Sequence, residues 1–135
     1  MKATICGALL ALMITTVSFG ANGAEEDTKS ADYLLPYCKL TTEQTGSSAR
    51  NALNVGRCMG IVEGISQMFQ LLNEAQAVGR VQLDPLLCTS IPVGITTQQL
   101  VDVVVKYGAT FPELTHRPFT VLAMSAMRVA WPCKN

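Results

Sequence analysis

Gly56-Arg57-Cys58-Met59-Gly60-Ile61-Val62-Glu63-Gly64 sets three glycines four residues apart, with a cysteine between the first two. At helical spacing the three glycines share one stripe. Each costs a helix interior roughly 1 kcal/mol relative to alanine. Such a cost is tolerated most easily where a bare helix surface lets another backbone come close. The stretch therefore predicts a central helix carrying both a packing seam and a covalent staple, and the remaining chain is read outward from it.

The helix is expected from Ala49 to Ala77, with Ser47 or Ser48 as N-cap and Gly79 as the C-terminal cap. One apolar stripe runs Val55, Cys58/Met59, Val62, Ile65, Phe69, Leu72. A second runs Ile61, Met68, Leu71 and Ala75, beside the glycines. A helix apolar over so much of its circumference is buried in a bundle or shared with a second subunit. The pattern alone leaves open which stripe packs within the chain and which meets a second subunit.

Downstream, Arg80-Val81-Gln82-Leu83 is an exposed connector with two apolar residues that follow no core period. Asp84-Pro85 resembles an N-cap with proline at the first helical position, opening one turn through Leu86-Leu87-Cys88. After the loop Thr89–Gly94, which contains Pro92, Thr96-x-x-Gln99 forms a capping box and Ile95 with Leu100 the matching staple. The valine-rich run that follows could form a strand on propensity alone. The capping box and the spacing of Leu100, Val103, Val104 and Tyr107 decide for a helix, about Thr97 to Tyr107, ending at Gly108. Phe111-Pro112-Glu113-Leu114 is a turn. Pro118 opens a last helix whose buried face is Phe119, Leu122, Ala123, Ala126 and Val129/Ala130, stopped by Pro132 and fastened by Cys133.

Upstream, Met1-Lys2 precedes an apolar run from Ile5 to Ile14 and a small-residue exit through Ala24. That is the plan of a secretory signal peptide over residues 1–23, with cleavage after Gly20 or Gly23 both acceptable. The apolar run is too short to span a bilayer, and Cys6 stands at its start, which argues against lipoprotein processing. Residues 24–37 are read as a flexible N-terminal segment, with one short turn of helix before Pro36. Residues 38–135 are read as the folded domain. Removing residues 1–23 takes away only Lys2 among the charges, so acids exceed bases by one. Nothing there suggests nucleic acid, and no later apolar run suggests a membrane.

Processing also reduces five cysteines to four, Cys38, Cys58, Cys88 and Cys133. In an exported domain this size, an even number is read as two disulfides. Of three formal pairings, Cys38–Cys58 with Cys88–Cys133 is favoured, because each ties a helix to a neighbouring loop or terminus. None of the spacings suits zinc, and no metal or cofactor is expected. Together these features predict a small all-α, single-domain bundle of about four helices.

Chemistry is sparse. His116 is the single histidine, in a proline-flanked turn, with no thiol left to partner it. No serine elbow, phosphate-cradling loop or pair of acids at catalytic spacing is present, so no enzyme is expected. Met59, Met68, Met124 and Met127 sit at core spacing.

The order of motifs carries a resemblance. Cys58-x-Gly60-x-x-x-Gly64 is followed by Cys88-x-x-Ile91-Pro92-x-Gly94-Ile95-Thr96-x-x-Gln99-Leu100, then Val103-Val104-x-x-Tyr107, Phe111-Pro112-Glu113-Leu114 and Ala126-x-x-x-Ala130-Trp131-Pro132-Cys133. This resembles the Rap/Tai family, the amidase immunity proteins of bacterial type VI secretion systems, over roughly Cys38 to Cys133. One departure is Ile61, where that family usually carries an aromatic residue. The resemblance implies a helical periplasmic protein, often a homodimer, that occludes the active site of a peptidoglycan-cleaving amidase. Gly60, Gly64, Pro92, Thr96, Gln99 and Pro132 belong to the shared scaffold, which implies that the glycines pack within the chain and leaves Ile61, Met68 and Leu71 as the dimer face. Recognition is therefore expected on less patterned segments: Arg80, Val81, Gln82 and Leu83, or Glu113, Leu114, Thr115, His116 and Arg117. The alternative is a periplasmic helical chaperone of the acid-activated type, which combines the same export signal and stapled helices.

Overall fold

The computed structural model describes residues 27–40, 48–84 and 87–133. Four helices make up the fold: α1 (Ala31–Lys39), α2 (Ala49–Ala77), α3 (Thr97–Thr110) and α4 (Phe119–Ala130), with a 3-10 turn at Pro112–Leu114. The expected signal peptide, residues 41–47 and the Pro85-Leu86 part of the expected turn lie outside the described residues.

α2 has the bounds expected of it. Ser48 is its N-cap, its hydroxyl accepting from the Asn51 N–H. At the other end Gly79 adopts φ +71°. The Gly79 N–H donates to Gln76 O and the Arg80 N–H to Ala75 O, both at 2.9 Å. These two bonds are a Schellman motif, for which a left-handed glycine is the favoured residue. α3 starts at the capping box: Thr96 Oγ1 accepts from the Gln99 N–H, and the Thr96 N–H donates to Gln99 Oε1.

Within the segment 24–37, expected as a flexible lead-in, residues 31–37 instead belong to α1. Ala31, Leu34, Leu35 and Cys38, spaced i, i+3, i+4, i+7, are all buried. The helix runs through Pro36, which lies on the exposed side with Asp32. Asp32, whose carbonyl loses its donor to the proline, is an exposed residue, so the interruption is tolerated. The first turn is capped from within and from outside. Ser30 Oγ accepts from the Tyr33 N–H, while the N–H groups of Ala31 and Asp32 donate to Arg117 O and Thr115 O at 2.9 and 2.7 Å. These bonds satisfy donors that a helix start otherwise leaves free.

The core is formed by Leu34 and Leu35 of α1, Cys58, Val62, Ile65 and Phe69 of α2, Leu100, Val101 and Val104 of α3, and Phe119, Leu122, Ala126 and Met127 of α4. Met127, not Val129 or Ala130, completes the buried face of α4; both of those are exposed. α3 continues past Gly108 to Thr110, because that glycine is a contact point and not a stop. The disulfides are Cys38–Cys58 and Cys88–Cys133, the pairing favoured above, and such bonds belong to an oxidising compartment.

The three glycines of the opening stretch behave differently from expectation. A Cβ added at Gly56, Gly60 or Gly64 would meet nothing within 4 Å. No backbone among the described residues approaches them, and all three are exposed on the outer side of α2.

Candidate functional site

Both segments expected to carry recognition are well exposed, but the fold keeps them apart. The turn with Glu113, His116 and Arg117 lies beside the start of α1, as the bonds from Ala31 and Asp32 require. Arg57 of α2 reaches the same end, donating through Nη2 to Thr28 O at 3.0 Å. The connector follows the end of α2 at Ala77, 20 residues beyond Arg57 along the same helix, or about 30 Å at 1.5 Å per residue. The two candidates therefore stand at opposite ends of the bundle and cannot form one small site.

At the connector end, Arg80, Val81 and Gln82 are exposed and Leu83 is half-buried. In the other turn Glu113, His116 and Arg117 are exposed, while Leu114 packs against the core. The two ends differ in apolar surface. Leu71 and Val78, one heptad apart on α2 and so on one side of it, are 66% and 68% exposed. With Glu74, Ala75 and Arg80 they line a recess of about 400 Å³. Val81 and Leu87 add exposed apolar surface along the connector. Sequence reading found Arg80 and Val81 but missed Val78, although its spacing from Leu71 and its absence from the buried stripe were both legible.

The connector is anchored at each end. Before it stands the Schellman motif at Gly79. After it, Thr89 is completely buried and takes part in four hydrogen bonds or bridges. Its hydroxyl donates toward Trp131 O at 2.8 Å and lies 3.3 Å from Met127 O. Its carbonyl accepts from Asn73 Nδ2 at 2.6 Å, and it bridges Pro132. The neighbouring Ser90 N–H donates to Trp131 O at 2.8 Å, and Cys88 is bonded to Cys133. Anchors of this kind on both sides lower the ordering cost that binding at the flanking residues would carry.

The expected dimer face is also on the surface. Met68 and Leu71 are exposed and Ile61 is half-buried, on the same outer side of α2 as the glycines and Leu53. Among the described residues no cluster of His, Cys, Asp and Glu could hold a metal ion. No described helix is long and apolar enough to cross a membrane. The arrangement offers surfaces for protein contact, with apolar side chains at its centre and single charges beside them.

The sequence pattern of the Rap1a immunity proteins matches residues 30–133. The match begins at Ser30, the N-cap of α1, so α1 is part of the shared domain, which was expected to start at Cys38. No curated protein and no solved structure matches the chain.

Proposed function

The chain belongs to the Rap1a immunity protein family, and on that footing we propose that it is a periplasmic antitoxin against a peptidoglycan-cleaving amidase delivered by type VI secretion. Its partner is then a protein, and its action is to occlude the amidase's active-site cleft without chemistry of its own. The signal-peptide pattern of residues 1–23 and the two disulfides support a periplasmic location.

The observation that carries the site is the exposed apolar end of α2 joined to a connector anchored on both sides. Val78 and Val81 form the apolar centre, and Arg80 and Glu74 supply the charges that orient the partner. Interface energy concentrates in such clusters, with arginine among the residues most often found there. The chain acts as a homodimer through the outer side of α2, with Ile61, Met68 and Leu71 in the contact. A symmetric dimer needs one patch that complements itself, and a long helix face of small and apolar side chains suits that geometry.

The test is to mix the mature protein with the amidase effector encoded beside it and follow both complex formation and peptidoglycan hydrolysis. A stoichiometric complex that stops hydrolysis supports the proposal. Protection of unrelated proteins from aggregation at low pH, with no such complex, would support the chaperone alternative.

A further inference from the structure

Between α3 and α4 lies an open groove of about 440 Å³ that neither the connector nor the outer side of α2 reaches. Tyr107 and Phe111 line it, their ring centroids 4.7 Å apart and their planes tilted by 46°. Val103 continues this apolar wall one turn back along α3. On the α4 side stand Ala126 and Ala130, four residues apart, so that helix presents two methyl groups where longer side chains would close the space. From Val103 to Thr110 the groove follows α3 for about 10 Å.

Among the described residues, Lys106 is the only charged one lining this surface. Asp102, one turn earlier, is not in the lining and accepts a hydrogen bond from Gln98 Nε2 at 3.0 Å. The hydroxyl of Thr110 donates to Lys106 O at 2.9 Å. The groove thus combines an apolar, partly aromatic surface with one cation at its edge. Small-ligand sites are built in this way, largely apolar with few polar groups that set orientation, at volumes of about 300–1,000 Å³. A stable protein contact covers about 800 Å² on each partner, more than a groove of this length presents.

We propose that the α3–α4 groove binds an amphipathic monocarboxylate of medium chain length, its aliphatic chain along Tyr107, Phe111, Ala126 and Ala130 and its carboxylate on the Lys106 ammonium. The charge selects the ligand class: a cationic amphiphile with the same chain meets the same apolar surface but loses the ion pair. The proposal does not depend on the antitoxin role.

Calorimetric titration of the mature protein with decanoate, kept below its micelle concentration, tests this, with decyltrimethylammonium as the opposite-charge control. Decanoate should bind saturably at one per chain, and the control at least tenfold more weakly. Lys106→Gln should weaken decanoate about tenfold, in line with loss of one charge-assisted hydrogen bond, and leave the control unchanged. Ala130→Phe, at an exposed position, should abolish both while circular dichroism and melting show the fold intact. Absence of saturable decanoate binding overturns the proposal, as do equal affinities for the two amphiphiles or binding that survives Ala130→Phe. A dimer that Ala130→Phe dissociates, with no decanoate uptake by the wild type, would assign the groove to a second copy and also overturn it.

Discussion

A methyl group built on Gly108 would stand 2.7 Å from Cδ1 of Leu35. The close approach expected of a glycine is made here, between α3 and α1, and not on the glycine-rich helix. Gly108→Leu must displace Leu35 from a packed core, at a cost of about 1–3 kcal/mol. Gly60→Ala meets no atom and gains helix propensity, about 0.5–1 kcal/mol. Thermal unfolding of dilute protein should show the first melting below wild type and the second a few degrees above it.

The same contrast shows what could be read from the sequence. The bounds of α2, the capping box at Thr96 and the two disulfides followed from local signals that need no tertiary information. Gly108 was taken for a helix end, since glycine is a common stop. Only the position of Leu35 explains why α3 needs it inside the last turn. Pro36 misled in a similar way. The spacing of Ala31, Leu34, Leu35 and Cys38 marked a helix, but the proline outweighed it until its exposed position was known. At the connector, the apolar residues without a core period were legible. Their distance from the Glu113–Arg117 turn was not, because it depends on how the helices run relative to each other.

Thr89 ties three parts of the chain together, so its hydroxyl should matter more than its size. Thr89→Val keeps the volume but removes the bond to Trp131 O, inside a site with no exposure to water. A loss of about 1–2 kcal/mol is expected by urea unfolding. Thr89→Ser, which retains the hydroxyl, should lose less.

The disulfides should differ in worth. The Cys38–Cys58 bond closes a sequence separation of 20 and Cys88–Cys133 one of 45. The chain-entropy estimate is about 3 and about 4 kcal/mol respectively. Paired alanine variants compared by chemical unfolding should therefore rank Cys88→Ala/Cys133→Ala as the more damaging. That variant should also weaken partner binding, because it releases one anchor of the connector.

The outer side of α2 can be tested for association apart from folding. Met68→Glu should leave the melting of dilute protein nearly unchanged and shift a dimer to monomer in sedimentation. Gly60→Leu, at an exposed position where an added Cβ meets no atom within 4 Å, should also fold. A Gly60→Leu protein that fails to fold would return the glycine stripe to packing within the chain.

The account stands most directly on one binding measurement, the calorimetric titration of the mature protein with the neighbouring amidase effector, made in parallel with Val78→Glu. A tight stoichiometric complex that blocks hydrolysis, weakened at least tenfold by Val78→Glu with melting unchanged, is the predicted result. An amidase that neither binds nor loses activity would contradict the antitoxin role, and undiminished binding by Val78→Glu would contradict its placement at the connector.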